Sequence, residues 1–252
     1  MNDKPLSNRT ALITGASRGL GRAMALALGA AGARLALVAR DTDALNVTAA
    51  ACREKGADAE IFQADVANEA QVEKLRQAAS ARFNTIDILI NNAGINIRKP
   101  VTEFTLAEWN KVMETNVNSV FLMCRAFVPQ MKGRGWGRII NMTSIMSHVS
   151  IGGRTAYSSS KAALLGFTKA LALELSTDGI TVVGISPGPF ATEMNTALMQ
   201  NPELNAQFIS KIPVGRWGKV EDIGQLALFL CSDYAGFITG TDILIDGGWC
   251  AQ

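Results

Sequence analysis

Tyr157 and Lys161 stand four positions apart in the stretch TAYSSSKAALL (155–165), and the chain holds one other tyrosine, Tyr234. The small apolar residues that follow suit a helix, on which residues four apart share a face. A free tyrosine has a pKa near 10, too high for acid–base work at neutral pH. Lowering it by about three units takes about 4 kcal/mol. A unit charge about 4 Å away supplies about 1 kcal/mol in water and about 4 at an effective dielectric near 20. A lysine ammonium can therefore tune the phenol if the site is partly dry. Ser144, in IINMTSIMS (139–147), lies just past a strand tip. Ligands of doubly wound sheets bind at the carboxyl ends of strands, so Ser144 and Tyr157 are expected to face one pocket and to donate to one substrate oxygen. The competing reading is an ordinary exposed Tyr–Lys pair on a helix.

A second chemical feature is TGASRGLG (14–21), with Gly15, Gly19 and Gly21 spaced GxxxGxG. It follows an aliphatic run and opens a helical pattern. Such a turn lets backbone N–H groups approach a pyrophosphate at a helix N-terminus, although the commoner fingerprint is GxGxxG. The second aliphatic run ends LVARD, so Arg40 follows the strand tip and Arg18 lies in the glycine loop. Two guanidiniums suit the 2′-phosphate of NADP, which is expected ahead of NAD. Asp41 argues for NAD by its position, but it also reads as the N-cap of the next helix, with Thr42 and Asp43 in the first turn.

The elements that must position these residues are visible as an alternation. Near-continuous apolar runs at 10–14, 34–39, 59–64, 86–90, 137–142, 180–185 and 241–246 read as strands covered on both faces. Helical patterns lie between them at 19–31, 42–55, 68–83, 105–132, 156–176 and 220–232. Repeated β-α-β units with right-handed crossovers predict one α/β domain over residues 1–252: a doubly wound (Rossmann) parallel seven-stranded sheet with helices on both faces. The stretch 187–218 breaks the rhythm and is expected to be a substrate loop or lid.

Bulk properties exclude several classes. The 252 residues are 48% hydrophobic and 18% charged, with a net charge of +2, so neither disorder nor a nucleic-acid footprint is expected. Cys52, Cys124, Cys231 and Cys250 form no CxxC pair, and a single histidine, His148, makes a metal site improbable. The N-terminus has no signal-like apolar region, and the longest apolar run, 23–33, is too short to span a bilayer. A cytoplasmic protein with no membrane or nucleic-acid partner is expected.

In their order and spacing, TGASRGLG, ADV (64–66), NNAG (91–94), Asn116 in TNVNSV, Ser144, YSSSK (157–161), SPGPFAT (186–192) and DGGW (246–249) resemble the short-chain dehydrogenase/reductase family from about Leu6 to Trp249. The resemblance implies Tyr157 as proton donor or acceptor and Ser144 as the group that polarises the carbonyl. It implies Lys161 as the contact to the nicotinamide ribose that lowers the Tyr157 pKa, and Asn116 as the holder of a relay water. Cofactor contacts are implied from Gly15, Ser17, Arg18, Gly19, Leu20 and Gly21, and from Arg40, which the family's NADP-preferring members carry. Asp65 and Val66 are implied at the adenine, Asn91, Ala93 and Gly94 along the cofactor, and Pro187, Gly188, Phe190 and Thr192 at its nicotinamide end, where Tyr157 and Lys161 also touch it. Homotetramers or homodimers are implied, packed partly through helices 105–132 and 156–176.

GRWG (215–218), PFATEMNTAL (189–198) and DGGWCAQ (246–252) are similar to members acting on sugar acids, such as gluconate 5-dehydrogenases and deoxygluconate dehydrogenases. 3-Oxoacyl-carrier-protein reductases share much of the same frame. Arg98 and Arg154 could hold a substrate carboxylate bidentately, or be solvated surface groups. Met146, His148 and Met194 are further candidates beside the substrate, and Trp249 reads either as a pocket wall or as core packing. The expected function is NADP-dependent interconversion of a secondary alcohol and a ketone, with a small-molecule substrate. Two other classes compete. Ser158 and Lys161 form a Ser-x-x-Lys pair as in acyl-enzyme hydrolases, but the companion S-D-N and K-T-G elements are missing. A nucleotide-binding sensor without turnover would need a broken Ser–Tyr–Lys set, and this set is intact.

Overall fold

The computed structural model describes residues 4–252, except for the side chains of Met194 and Ala197. Parallel strands β1 (Thr10–Thr14), β2 (Arg34–Ala39), β3 (Ala59–Gln63), β4 (Ile88–Asn91), β5 (Gly137–Met142), β6 (Ile180–Pro187) and β7 (Asp242–Ile245) form one seven-stranded sheet in the order β3-β2-β1-β4-β5-β6-β7. Helices α1 (Gly19–Ala30), α2 (Thr42–Glu54), α3 (Glu69–Phe83), α4 (Leu106–Met113), α5 (Ser119–Met131), α6 (Thr155–Leu175), α7 (Thr196–Met199), α8 (Pro202–Ile209) and α9 (Val220–Leu230) complete the domain.

Successive strand residues feed opposite faces, which is why the runs look continuous rather than alternating. Ile13 and Leu37 pack with Met24, Leu28, Leu45 and Ile223 of α1, α2 and α9. Leu12 and Val38 pack with Val72, Phe127 and Leu164 of α3, α5 and α6. Each such fully buried aliphatic side chain contributes about 1.5–3 kcal/mol. Asp41 caps α2 by accepting from the Ala44 N–H at 3.1 Å, and Asn68 caps α3 by accepting from Gln71 at 3.0 Å. Strand order reverses beside β1, which pairs with β2 on one side and β4 on the other. The crevice outside the carboxyl ends of β1 and β4 is therefore where such a sheet binds a ligand.

One segment differs from the sequence expectation. The helix expected over 105–132 is broken by a π-helical turn at Glu114–Asn118, between α4 and α5. The extra residue lets the Asn116 side chain reach across to another loop. The segment 187–218 leaves and returns at one point. The Ala191 N–H donates to the Gly218 carbonyl at 3.0 Å, and the Gly218 N–H donates to Pro189 at 2.9 Å. No helix among the described residues is long and apolar enough to cross a membrane.

Candidate active site

One cavity of about 590 Å³ opens at the carboxyl ends of the strands. Ser144, Tyr157 and Lys161 all line it. Ser144 follows β5 and caps a single 3₁₀ turn, Ile145–Ser147, where its Oγ accepts from the Met146 N–H at 3.1 Å. That bond uses a lone pair and leaves the hydroxyl proton to donate outward. Tyr157 and Lys161 project from the first turns of α6. Lys161 Nζ lies 5.8 Å from the Tyr157 ring centroid and donates to the Met142 carbonyl at 2.5 Å.

Burial disfavours the charged form of both groups. It pulls Lys161 down to about 8. It holds Tyr157 above its ordinary value, opposed first by the Ser144 hydroxyl and then by the Arg154 and Arg98 guanidiniums. Lys161 was expected to lower the Tyr157 pKa, yet it is not among the opposing groups. Titrating at about 8, Lys161 is already neutral at the higher pH where Tyr157 ionises, so the two arginines supply the positive field there.

The run of serines beside Tyr157 divides its tasks. Ser160 donates to the Tyr157 carbonyl at 2.7 Å and accepts from Asn116 Nδ2 at 2.9 Å. Ser158 instead meets Ser150 at 2.8 Å, so the Ser158–Lys161 pair of a hydrolase is not assembled. Asn116 is fully buried in the π turn. Its Oδ1 accepts from the Ile95 N–H at 2.8 Å and its Nδ2 donates to the Ile95 carbonyl at 2.9 Å. The side chain thus clamps the loop after β4 and does not itself line the cavity.

The other end of the cavity is built for an anion. Helix α1 has no side-chain cap and no acidic residue in its first turn, so its first N–H groups lack a side-chain acceptor. Gly15 takes φ +63°, and a Cβ there would lie 2.8 Å from Asn92 Nδ2. A Cβ on Gly21 would lie 2.3 Å from the Gly15 carbonyl oxygen. The backbone cradle exists only because both side chains are absent. Ser17, Arg18, Gly19, Leu20, Arg40, Asp65, Val66, Ala93, Gly94, Pro187, Gly188, Phe190 and Thr192 line the same cavity. Arg18 pairs with Asp41 at 2.7 Å, and Arg40 stands 3.8 Å from Asp65. Asp41 is therefore both helix cap and Arg18 partner.

Several expected site residues have other duties. Gly21 is buried against the Gly15 carbonyl and does not line the cavity. Asn91 is turned into the sheet, where its Nδ2 donates to Asn141 Oδ1 at 2.9 Å. Its neighbour Asn92, which the sequence reading passed over, ties the two loops together by donating to the Thr14 and Gly15 carbonyls at 2.9 and 3.1 Å. The signal was the second Asn of the NNAG stretch. His148 lies outside the cavity lining, and its Nε2 meets Asp242 Oδ2 at 2.7 Å. Met194 lies outside the described side chains. Met146, Arg98, Arg154 and Trp249 do line the cavity, joined by Phe208 and Trp217. The Phe208 and Trp217 rings stack at 5.6 Å, and Trp249 lies 5.7 Å from Phe208. Cys52, Cys124 and Cys231 are buried free thiols, raised to between about 11 and 12 by burial, and no metal-ligand cluster occurs among the described residues.

Comparison with known proteins follows the same lines. A family model for enoyl-(acyl carrier protein) reductase matches residues 15–250. A gluconate 5-dehydrogenase of Gluconobacter oxydans is 37% identical over 96% of this chain and 95% of its own length. The 3-oxoacyl-[acyl-carrier-protein] reductase FabG of Escherichia coli is also 37% identical, over 95% of this chain and 96% of its own. The crystal structure of a gluconate 5-dehydrogenase from Burkholderia cenocepacia, in complex with NADP and tartrate, superposes with a TM-score of 0.94 at 34% identity, covering 100% of this chain and 98% of that one.

Proposed function

Because the chain belongs to the short-chain dehydrogenase/reductase family of oxidoreductases acting on CH–OH groups, we propose that it interconverts a sugar acid and its keto acid with NADP. The observation that carries the sugar-acid reading is the pair of guanidiniums beside the acid–base group. Arg98 and Arg154 line the cavity, repel one another and both act on Tyr157. Neither makes an ion pair with a carboxylate of the chain among the described residues. A substrate carboxylate in this space neutralises them and lets a carbinol farther along the same molecule reach Tyr157 and Ser144. The aromatic wall of Phe208, Trp217 and Trp249 offers a surface for the C–H face of a polyol.

NADP is supported by Arg18 and Arg40 at the end of the cavity away from Tyr157, and by the NADP of the Burkholderia complex. Gly15, Ser17, Gly19, Leu20, Asp65, Val66, Ala93, Gly94, Pro187, Gly188, Phe190 and Thr192 are the residues that would hold it. Bound there, it supplies or accepts the hydride. The remaining chemistry is the protein's. Tyr157 gives a proton to the substrate oxygen in reduction and takes it in oxidation. Ser144 donates to the same oxygen and stabilises its developing charge. Lys161 holds the cofactor ribose, and Asn116 fixes the Ile95 loop along the cavity. The 187–218 segment acts as the lid that excludes water. Leu106, Phe121 and Leu173 stand exposed on α4, α5 and α6 and support association of copies through these helices.

The test is turnover of gluconate with NADP, followed by nicotinamide absorbance. With Arg154→Met, the KM for gluconate is expected to rise about 10- to 100-fold, the worth of one lost charge-assisted contact, while the KM for NADP stays within about twofold. Silence with gluconate alongside NADPH consumption with a 3-oxoacyl thioester would overturn the sugar-acid reading. The cradle is tested separately. Gly21→Ala forces a Cβ against the Gly15 carbonyl and is expected to cost about 1–3 kcal/mol of stability. NADP should raise the melting temperature of the wild type and leave that of the variant unmoved.

A further inference from the structure

The lone histidine belongs to a polar cluster that the reaction described above does not use. Asp242 opens β7, and its side chain is only 9% exposed. Three donors converge on it. Thr143 Oγ1 donates to Oδ1 at 2.5 Å, Ser186 Oγ donates to Oδ2 at 2.6 Å, and His148 Nε2 meets Oδ2 at 2.7 Å. An ionised carboxylate only accepts, so this geometry requires both hydroxyl protons and an Nε2–H from His148. A Cβ on Gly184 would lie 2.1 Å from Asp242 Oδ1, so the backbone of β6 is bare where the carboxylate lies against it.

Two of the donors flank one element. Thr143 is the residue before Ser144, and His148 ends the 3₁₀ turn that Ser144 caps, its N–H bonded to the Ile145 carbonyl at 2.9 Å. One carboxylate from the far edge of the sheet thus grips both ends of the turn that presents Ser144. We propose that Asp242 and His148 are positioning residues of this oxidoreductase: they hold the Thr143–His148 turn so that the Ser144 hydroxyl meets the substrate oxygen beside Tyr157. The inference rests on the reading of Ser144 given above. His148 is itself placed to act through Ser144, since its ring is turned to Asp242 and away from the cavity.

The test begins with a measurement that needs no substrate. In tag-free protein His148 is the only imidazole, so its ¹⁵N spectrum reads one ring. A single Nε2–H tautomer is expected, lost in Thr143→Val or Asp242→Asn if the cluster comes apart. A ring averaging between tautomers in the wild type would overturn the clamp. The kinetic arm uses gluconate with NADP or a 3-oxoacyl thioester with NADPH, whichever the wild type turns over, so a wrong substrate assignment does not touch it. His148→Ala is expected to lower kcat about 10- to 100-fold, the scale of a misplaced catalytic group, with the NADP KM within about twofold. His148→Gln, which restores an N–H donor, should recover most of the loss. On a Ser144→Ala background the same His148→Ala change should cost less than about twofold, because its effect has no route left. A full loss persisting on that background, or no loss in His148→Ala alone, would overturn the positioning role.

Discussion

Tyr157→Phe is expected to reduce turnover by about three orders of magnitude or more while the fold and cofactor affinity persist. The substitution removes one oxygen and keeps the ring, so packing at the head of α6 is preserved. What is lost is the phenol proton, the one proposed to pass to the substrate oxygen. General acid–base groups contribute about 10²–10⁴-fold, and the neighbouring Lys161 ammonium is committed to the Met142 carbonyl. The same variant allows a direct check of the electrostatics. The chain has two tyrosines, and Tyr234 is 90% exposed. Subtracting the tyrosinate absorbance titration of the variant from that of the wild type isolates Tyr157. Burial outweighs Ser144, Arg154 and Arg98, so its ionisation in the unliganded chain should lie above that of a free tyrosine. At neutral pH the phenol is therefore protonated and ready to serve reduction. Oxidation needs the phenolate, so its rate should climb with pH. A difference titration at or below the free-tyrosine value would show that positive field outweighs burial before any cofactor binds.

Lys161→Met is expected to separate stability from activity. Turnover should fall at least about 100-fold if, as proposed above, the residue holds the cofactor ribose beside Tyr157. Stability at pH 7 should rise. The Lys161 pKa falls from its ordinary 10.5 to about 8 on folding, so the unfolded chain binds more protons between those values. Stability therefore increases with pH across that window, and below it the buried ammonium costs about 3 kcal/mol. Loss of the bond to the Met142 carbonyl returns about 1–2 kcal/mol of that. The net gain of about 1–2 kcal/mol corresponds to a rise in Tm of about 2–8 °C. The difference between variant and wild type should shrink, and then reverse, as pH approaches 10. A variant less stable than the wild type at pH 7 would mean that the ammonium is better solvated than its burial implies.

Much of this site was legible before folding because its parts are local. Glycines 15, 19 and 21 must follow β1 whatever the rest of the chain does, since the turn itself demands them. Tyr157 and Lys161 share a face because a helix has 3.6 residues per turn. The alternation of strand and helix dictates a parallel sheet, and its carboxyl edge dictates where Ser144 points. Asp41 as cap of α2 was equally readable, because capping is decided within four residues.

What the tertiary structure decided were side chains whose partners lie far along the chain. Asn91 and Asn92 are adjacent in sequence, but successive strand residues face opposite ways, so one was turned into the sheet and the other onto the glycine loop. Asn116 gains its task only through the π turn that carries it to Ile95, 21 positions away. His148 meets Asp242 across 94 positions, a pairing no local pattern announces. The balance of charge at Tyr157 was likewise beyond the sequence. Spacing brings Lys161 to the same helical face, but whether it is still charged when the phenol ionises depends on how deeply the folded chain buries it. Local geometry is set by nearest neighbours and can be read from residue types. Electrostatics and long-range hydrogen bonds depend on burial and distance, which exist only once the chain has closed.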